Sequence, residues 1–120
     1  MNNNKISLLI GTIICIGEVY YDFQDVPNAI FAFNEARQIS EKTQKDRFKI
    51  RCYMGLANCC FKIYKFSEAM ILLKKALQYA WRFNDRESEL EIYDKIGFTY
   101  FSMKDIEKAL YYHNWFILTI

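Results

Sequence analysis

A period of 40 residues runs through this chain and constrains its fold more than any other feature. Gly17, Ala57 and Gly97 stand 40 apart, and so do Ala29, Ala69 and Ala109. Ile16, Leu56 and Ile96 precede the first set, while Ile30, Met70 and Leu110 follow the second. Four residues beyond the alanines come Phe33, Leu73 and His113, then Ala36, Ala76 and Phe116. Self-similarity at such a period marks a stacked array, in which each unit buries its apolar face only against its neighbours.

The pattern inside one period sets the unit. Leu90, Tyr93, Ile96, Gly97 and Tyr100 recur at helical three-and-four spacing. Asp105 is a good N-cap, and Ile106, Ala109, Leu110, His113, Phe116 and Ile117 mark a second amphipathic helix behind it. Each unit therefore reads helix, short turn, helix, with small residues where the paired helices approach closely. One Pro and four Gly in 120 residues favour long helices over loops. The spacing predicts helices at 5–22, 27–43, 46–63, 67–83, 86–102 and 105–119, with Pro27 in a first turn. Lys45-Asp46-Arg47 and Asn84-Asp85-Arg86 lie 39 apart, so one residue is expected to be absorbed in a turn. The expectation is one domain over 1–120, with repeats at approximately 5–43, 46–83 and 86–120.

Ile16-Gly17-x-x-Tyr20 followed by Ala29-x-x-x-Phe33-x-x-Ala36 resembles the tetratricopeptide (TPR) repeat. Ile96-Gly97-x-x-Tyr100 with Ala109 is a second version, and Leu56-Ala57 with Phe66, Ala69 and Ala76 a third. The period departs from the usual ~34 residues, and the lengthened units resemble those of Pins-type scaffolds. The resemblance implies an all-α, right-handed superhelical solenoid of three helix-turn-helix repeats.

Charge and composition narrow the partners. Apolar residues make up 52%, charged residues 25%, and the formal net charge is +2, which describes a folded domain and not a polyanion binder. Lys42, Lys45, Arg47, Lys49 and Arg51 form a basic stretch, but Glu41 and Asp46 interrupt it, so a solvated face is expected and no nucleic-acid partner. Ile6 to Gly17 is nearly continuously apolar behind Lys5. A secretory leader looks like this, yet the 40-residue register places the segment inside a repeat helix. It is too short to span a membrane, and no membrane partner is expected.

Little points to chemistry. Cys15, Cys52, Cys59 and Cys60 contain no Cys-x-x-Cys pair, and His113 is the only histidine, so free buried thiols are expected and no metal site. No Gly-rich phosphate loop exists, and no cofactor is expected. His113 reads as a packed or partly solvated residue on the inner face of the last helix. Glu87, Glu89, Glu91 and Asp94 complement the N-terminus of the fifth helix. Nothing here supports an enzyme.

The resemblance places candidate sites on a concave face built from the first helix of each repeat. There it puts Ile14, Glu18, Tyr21 and Asp22, then Arg51, Met54, Asn58, Phe61 and Lys62, then Glu91, Asp94, Phe98 and Phe101. In Pins-type arrays an arginine and an asparagine seven apart grip acidic peptides, and Arg51 and Asn58 have that spacing. Tyr21, Phe61, Phe98 and Phe101 form an aromatic ridge suited to an apolar anchor. A second candidate is the apolar end of the last helix, where Tyr112, Phe116 and Ile120 are expected to face solvent. The first helix is similarly apolar at Leu8, Leu9, Ile10, Ile13 and Ile14. Further repeats, a partner or a second copy would cover these ends. By analogy the expected role is a scaffold subunit of a eukaryotic cytoplasmic assembly, ciliary or cytoskeletal. The alternative is a reversible adaptor gripping an acidic or amphipathic peptide through Arg51, Asn58 and Lys62.

Overall fold

Five turns of one kind build the fold. The computed structural model describes residues 2–119 and contains six helices: α1 (Asn3–Asp22), α2 (Val26–Lys42), α3 (Phe48–Lys62), α4 (Phe66–Arg82), α5 (Arg86–Ser102) and α6 (Ile106–Thr119). Every predicted boundary lies within two residues of the observed one. Between successive helices, Gln24, Gln44, Tyr64, Asn84 and Lys104 take left-handed backbone with φ of 53–65°.

Each turn closes with the same pair of bonds. The left-handed residue donates its N–H to the carbonyl three positions back, and the next residue donates five positions back, at 2.8–3.2 Å. This Schellman arrangement satisfies carbonyls that a helix end would otherwise orphan. Where the second donor is an aspartate it also starts the following helix. Asp25, Asp85 and Asp105 accept from the N–H groups of Asn28, Ser88 and Lys108. The left-handed residues are 20 apart throughout, so no residue is absorbed anywhere. The 39-residue echo between Lys45-Asp46-Arg47 and Asn84-Asp85-Arg86 is out of register. Instead α3 starts two residues late, its first turn closed by bonds from Phe48, Lys49 and Ile50 to carbonyls three residues back.

Each helix packs on the next, and α3 also touches both α1 and α5. The first helices of the pairs thus lie side by side along one face of a slab 48 × 31 × 19 Å in extent. Two clusters fill the slab. One joins Ile10 and Ile14 to Ala29, Phe33 and Ala36, and to Cys52, Leu56 and Cys59. The other joins Ile50, Met54 and Ala57 to the inner faces of α4 and α5. So α3 has a backward face at 52, 56 and 59 and a forward face at 50, 54 and 57. Each fully buried large side chain contributes about 1.5–3 kcal/mol.

The tightest contact is at Phe33. Its ring is 1% exposed and lies between two glycines. A Cβ on Gly17 would stand 2.9 Å from the ring, and one on Gly55 would stand 2.5 Å from it. Neither glycine serves a turn; both admit an aromatic ring between helices.

Candidate functional site

The concave face holds a cavity of about 600 Å³ over α1, α3 and α5. Its walls carry the carboxylates of Glu18, Asp22, Asp85, Glu87 and Glu91 and one cation, Arg51, with Phe33 at the floor. Arg51 and Asn58 stand two turns apart on α3, as expected, but both are engaged. Arg51 Nη2 lies 2.9 Å from Glu18 Oε1 on α1, and Lys95 Nζ of α5 donates to Asn58 Oδ1 at 3.1 Å. Glu18 is therefore the internal partner of the arginine. Both partners of that pair are about half exposed, so it adds little stability; its effect is to occupy the guanidinium. With five carboxylates around it, the groove does not favour an acidic peptide.

The aromatic ridge is partly assembled. The Phe61 ring sits 5.4 Å from Phe98 and 5.2 Å from Phe66, tying α3 to α5 and α4. Phe61 is half-buried, whereas Phe98 and Phe101 are exposed. Lys62 Nζ lies 5.0 Å over the Tyr21 ring, a cation–π contact. Burial, with Cys59 and Asp22 nearby, pushes the Tyr21 hydroxyl up from its ordinary value. Ile14, expected in the groove, is buried and does not line it, while Met54 lines the cavity although it is mostly covered. The following repeat covers each of them, while Asp94, the third member of that register, is covered by none of the described residues and is exposed.

The basic stretch is exposed at Lys42, Arg47 and Arg51, as a solvated face would be, and Lys49 alone of its five residues is buried. Arg47 donates to the Phe83 carbonyl at 3.4 Å. Lys49 is buried with Asp46 at 3.4 Å, Glu41 at 3.6 Å and the Tyr79 hydroxyl at 3.5 Å. Desolvation opposes the Lys49 charge, but Tyr79 and Asp46 outweigh it and raise its pKa. Burial pushes the Cys52 thiol up to about 12 and Cys59 to about 11, leaving both inert at neutral pH. Cys15, expected to be buried, is exposed. Among the described residues no group of His, Cys, Asp and Glu could hold a metal ion, and no helix is long and apolar enough to cross a membrane.

The ends are more distinctive than the groove. No described residue of α6 is buried. Tyr112 and Phe116, expected to face solvent, turn inward against the second cluster, with Tyr112 stacked 5.6 Å from Tyr100. Ile120 lies outside the described residues. The exposed apolar surface of α6 is carried by Ile106, Leu110, Tyr111, Trp115, Ile117 and Leu118, which sequence reasoning missed. His113, expected to be packed or partly solvated, is exposed. It borders a cleft of about 300 Å³ between α5 and α6. On α1, Ile10 and Ile14 turn inward and Ile13 is half-buried, while Leu8, Leu9, Ile16 and Val19 are exposed.

No family model matches the sequence, and no curated protein matches it. Among solved structures, the chain is similar to the TPR domain of Arabidopsis FLU, with a TM-score of 0.82 and 20% sequence identity. The match covers 94% of this chain and 95% of that one. This is a likeness of fold: the molecule is an all-α helical repeat solenoid of TPR type.

Proposed function

We propose that this TPR-like solenoid is a non-catalytic protein-interaction scaffold, held within a larger assembly by its apolar ends and acting as one unit of three repeats. The observation that carries the reading is α6, a helix with six exposed large apolar side chains and no buried residue. A monomer in water seldom leaves such a surface uncovered. The proposal includes the setting drawn by analogy, a eukaryotic cytoplasmic complex of ciliary or cytoskeletal kind.

A second reading uses the groove, because a 600 Å³ concavity that shares Tyr21 and Asn58 with a smaller cleft lined by Phe61 and Phe98 can seat a peptide. Its carboxylates select a segment bearing lysine or arginine with an apolar anchor, and not the acidic peptide that Arg51 and Asn58 first implied.

Capture from native extract separates the two. The tagged chain is compared with an end variant, Leu110→Lys/Ile117→Lys, and a groove variant, Glu87→Lys/Glu91→Lys, whose two positions line the groove and not the end cleft. Partners that survive 1 M salt and the groove variant but vanish with the end variant support the scaffold. Loss with salt, or with the groove variant alone, supports the adaptor.

A further inference from the structure

The two open ends are the two halves of one interface that the molecule already makes twice. The left-handed turn residues fix a register in which α1, α3 and α5 correspond at steps of 40, as do α2, α4 and α6. In that register Leu8, Thr12, Ile16 and Val19 of α1 stand where α3 has Phe48, Cys52, Leu56 and Cys59. Those α3 residues are the backward face that packs into the cluster of α1 and α2. On α1 the same positions have nothing in front of them: Leu8 is 72% exposed, Ile16 45% and Val19 52%.

The other end shows the complementary half. Leu110, His113 and Ile117 of α6 stand where α4 has Met70, Leu73 and Leu77, all buried in the cluster shared with α5. On α6, Leu110 is 57% and Ile117 52% exposed. The 300 Å³ cleft repeats the point. It is lined by Gly97, Phe101, Ile106, Leu110 and His113, each 40 positions on from Ala57, Phe61, Phe66, Met70 and Leu73. In the earlier unit α5 occupies that slot, where Phe98 meets Phe61 and Lys95 reaches Asn58. The cleft is a place shaped for one more first helix.

We infer that α6 of one copy receives α1 of a second copy, head to tail, in the geometry by which α2 receives α3 and α4 receives α5. This names the occupant of the ends and rests on the end-docking reading above. Both halves are on the same chain, so the contact is heterologous and does not close: each added copy leaves a free α6 and a free α1. The face on α1 is also more apolar than its counterpart on α3. Leu9 replaces Lys49, the buried lysine that is held by Glu41 and Asp46. Association therefore persists in high salt.

Sedimentation equilibrium of residues 1–120 tests the inference, using an α6 variant (Leu110→Lys/Ile117→Lys) and an α1 variant (Leu8→Lys/Ile16→Lys). Wild-type mass should rise with concentration past that of a dimer. Each variant alone should stay at the monomer mass of 14.4 kDa. An equimolar mixture should reach twice that mass and stop, because only one intact junction can form. All four substituted positions are exposed, and circular dichroism checks that the variants remain helical. If a lysine pair disturbs the fold, the serine pair at the same positions replaces it.

Three results would overturn the inference: a wild type that is monomeric at every concentration, a single variant that still dimerises alone, or a mixture that does not pair. If the wild type is monomeric and the α6 variant nonetheless loses a partner in the capture experiment, end docking stands and only the second copy as occupant is lost. If the end variant loses nothing in that capture while the mixture pairs, the copy-to-copy contact stands without the external scaffold.

Discussion

The two internal junctions of the solenoid share a register and solve it with opposite side chains. Where α2 meets α3, the Phe33 ring lies between Gly17 and Gly55, among Cys52 and Cys59. Where α4 meets α5, Leu73 stands for Phe33, Ala57 for Gly17 and Lys95 for Gly55. The smaller knob is matched by larger neighbours, and polar links join in. Trp81 Nε1 donates to Glu89 Oε2 at 3.0 Å and to the Tyr93 hydroxyl at 3.2 Å, and Tyr93 donates to the same carboxylate oxygen at 2.8 Å. The backbone step is held constant while volume is traded between three helices, so what one position tolerates depends on two others.

Substitutions at the junctions break this comparison most strongly. Phe33→Ala should cost about 3–5 kcal/mol in urea unfolding, because the ring fills a site enclosed on both sides and the cavity cannot collapse. Gly55→Ala should cost about 1–3 kcal/mol through the clash with that ring. The Phe33→Leu/Gly55→Ala double variant, which copies the smaller knob of the second junction, should recover part of the loss. Gly97→Ala has the opposite sign. An added Cβ there meets no atom closer than 3.5 Å, so the helix-propensity gain of about 1 kcal/mol should appear as a higher melting temperature.

Two smaller effects sharpen the contrast. Tyr64 holds left-handed backbone without being glycine, and Tyr64→Gly should stabilise by about 0.5–1 kcal/mol in the same assay. The smallest effect depends on pH and, as far as thiols are concerned, belongs to the first junction. Cys52 and Cys59 are raised from an ordinary value of 9.0 to about 12 and about 11. Below pH 9 both folded and unfolded chains keep neutral thiols and nothing changes. Above it the unfolded chain ionises first, so stability falls as pH rises from 9 toward 12. The urea midpoint measured at pH 8 and pH 10 should show a shallower decline in Cys52→Ala/Cys59→Ala.

Where a position is covered by its own repeat, its role could be read in advance. The alanine and glycine registers, the six helices, Pro27 in the first turn of α2 and the capping role of Asp105 all belong to this class. Where a neighbouring repeat decides, the reading failed. Ile14 shares a register position with Asp94, and only the presence of a following helix buries it. A terminal helix such as α6 has two apolar faces, and periodicity alone does not say which of them α5 covers. Hence Tyr112 and Phe116 were assigned to the wrong side. The turns carried no signal either, because their left-handed positions hold Gln, Gln, Tyr, Asn and Lys while all four glycines sit inside helices. The engagement of Arg51 by Glu18 and of Asn58 by Lys95 spans more than 30 residues of sequence, and no local spacing announces it.

The turns have a further consequence for how such a chain can change length. In four of the five Schellman turns the residue that ends one helix is the next helix's N-cap, so those turns hold no slack, and only the turn before α3 has two residues over. One residue inserted within a helix rotates everything beyond it by about 100° and turns a buried stripe outward. The gene can therefore grow or shrink almost freely in blocks of 40 codons and hardly at all in ones. At the level of the folded protein the solenoid has a reading frame of its own, and short in-frame indels act on it as frameshifts.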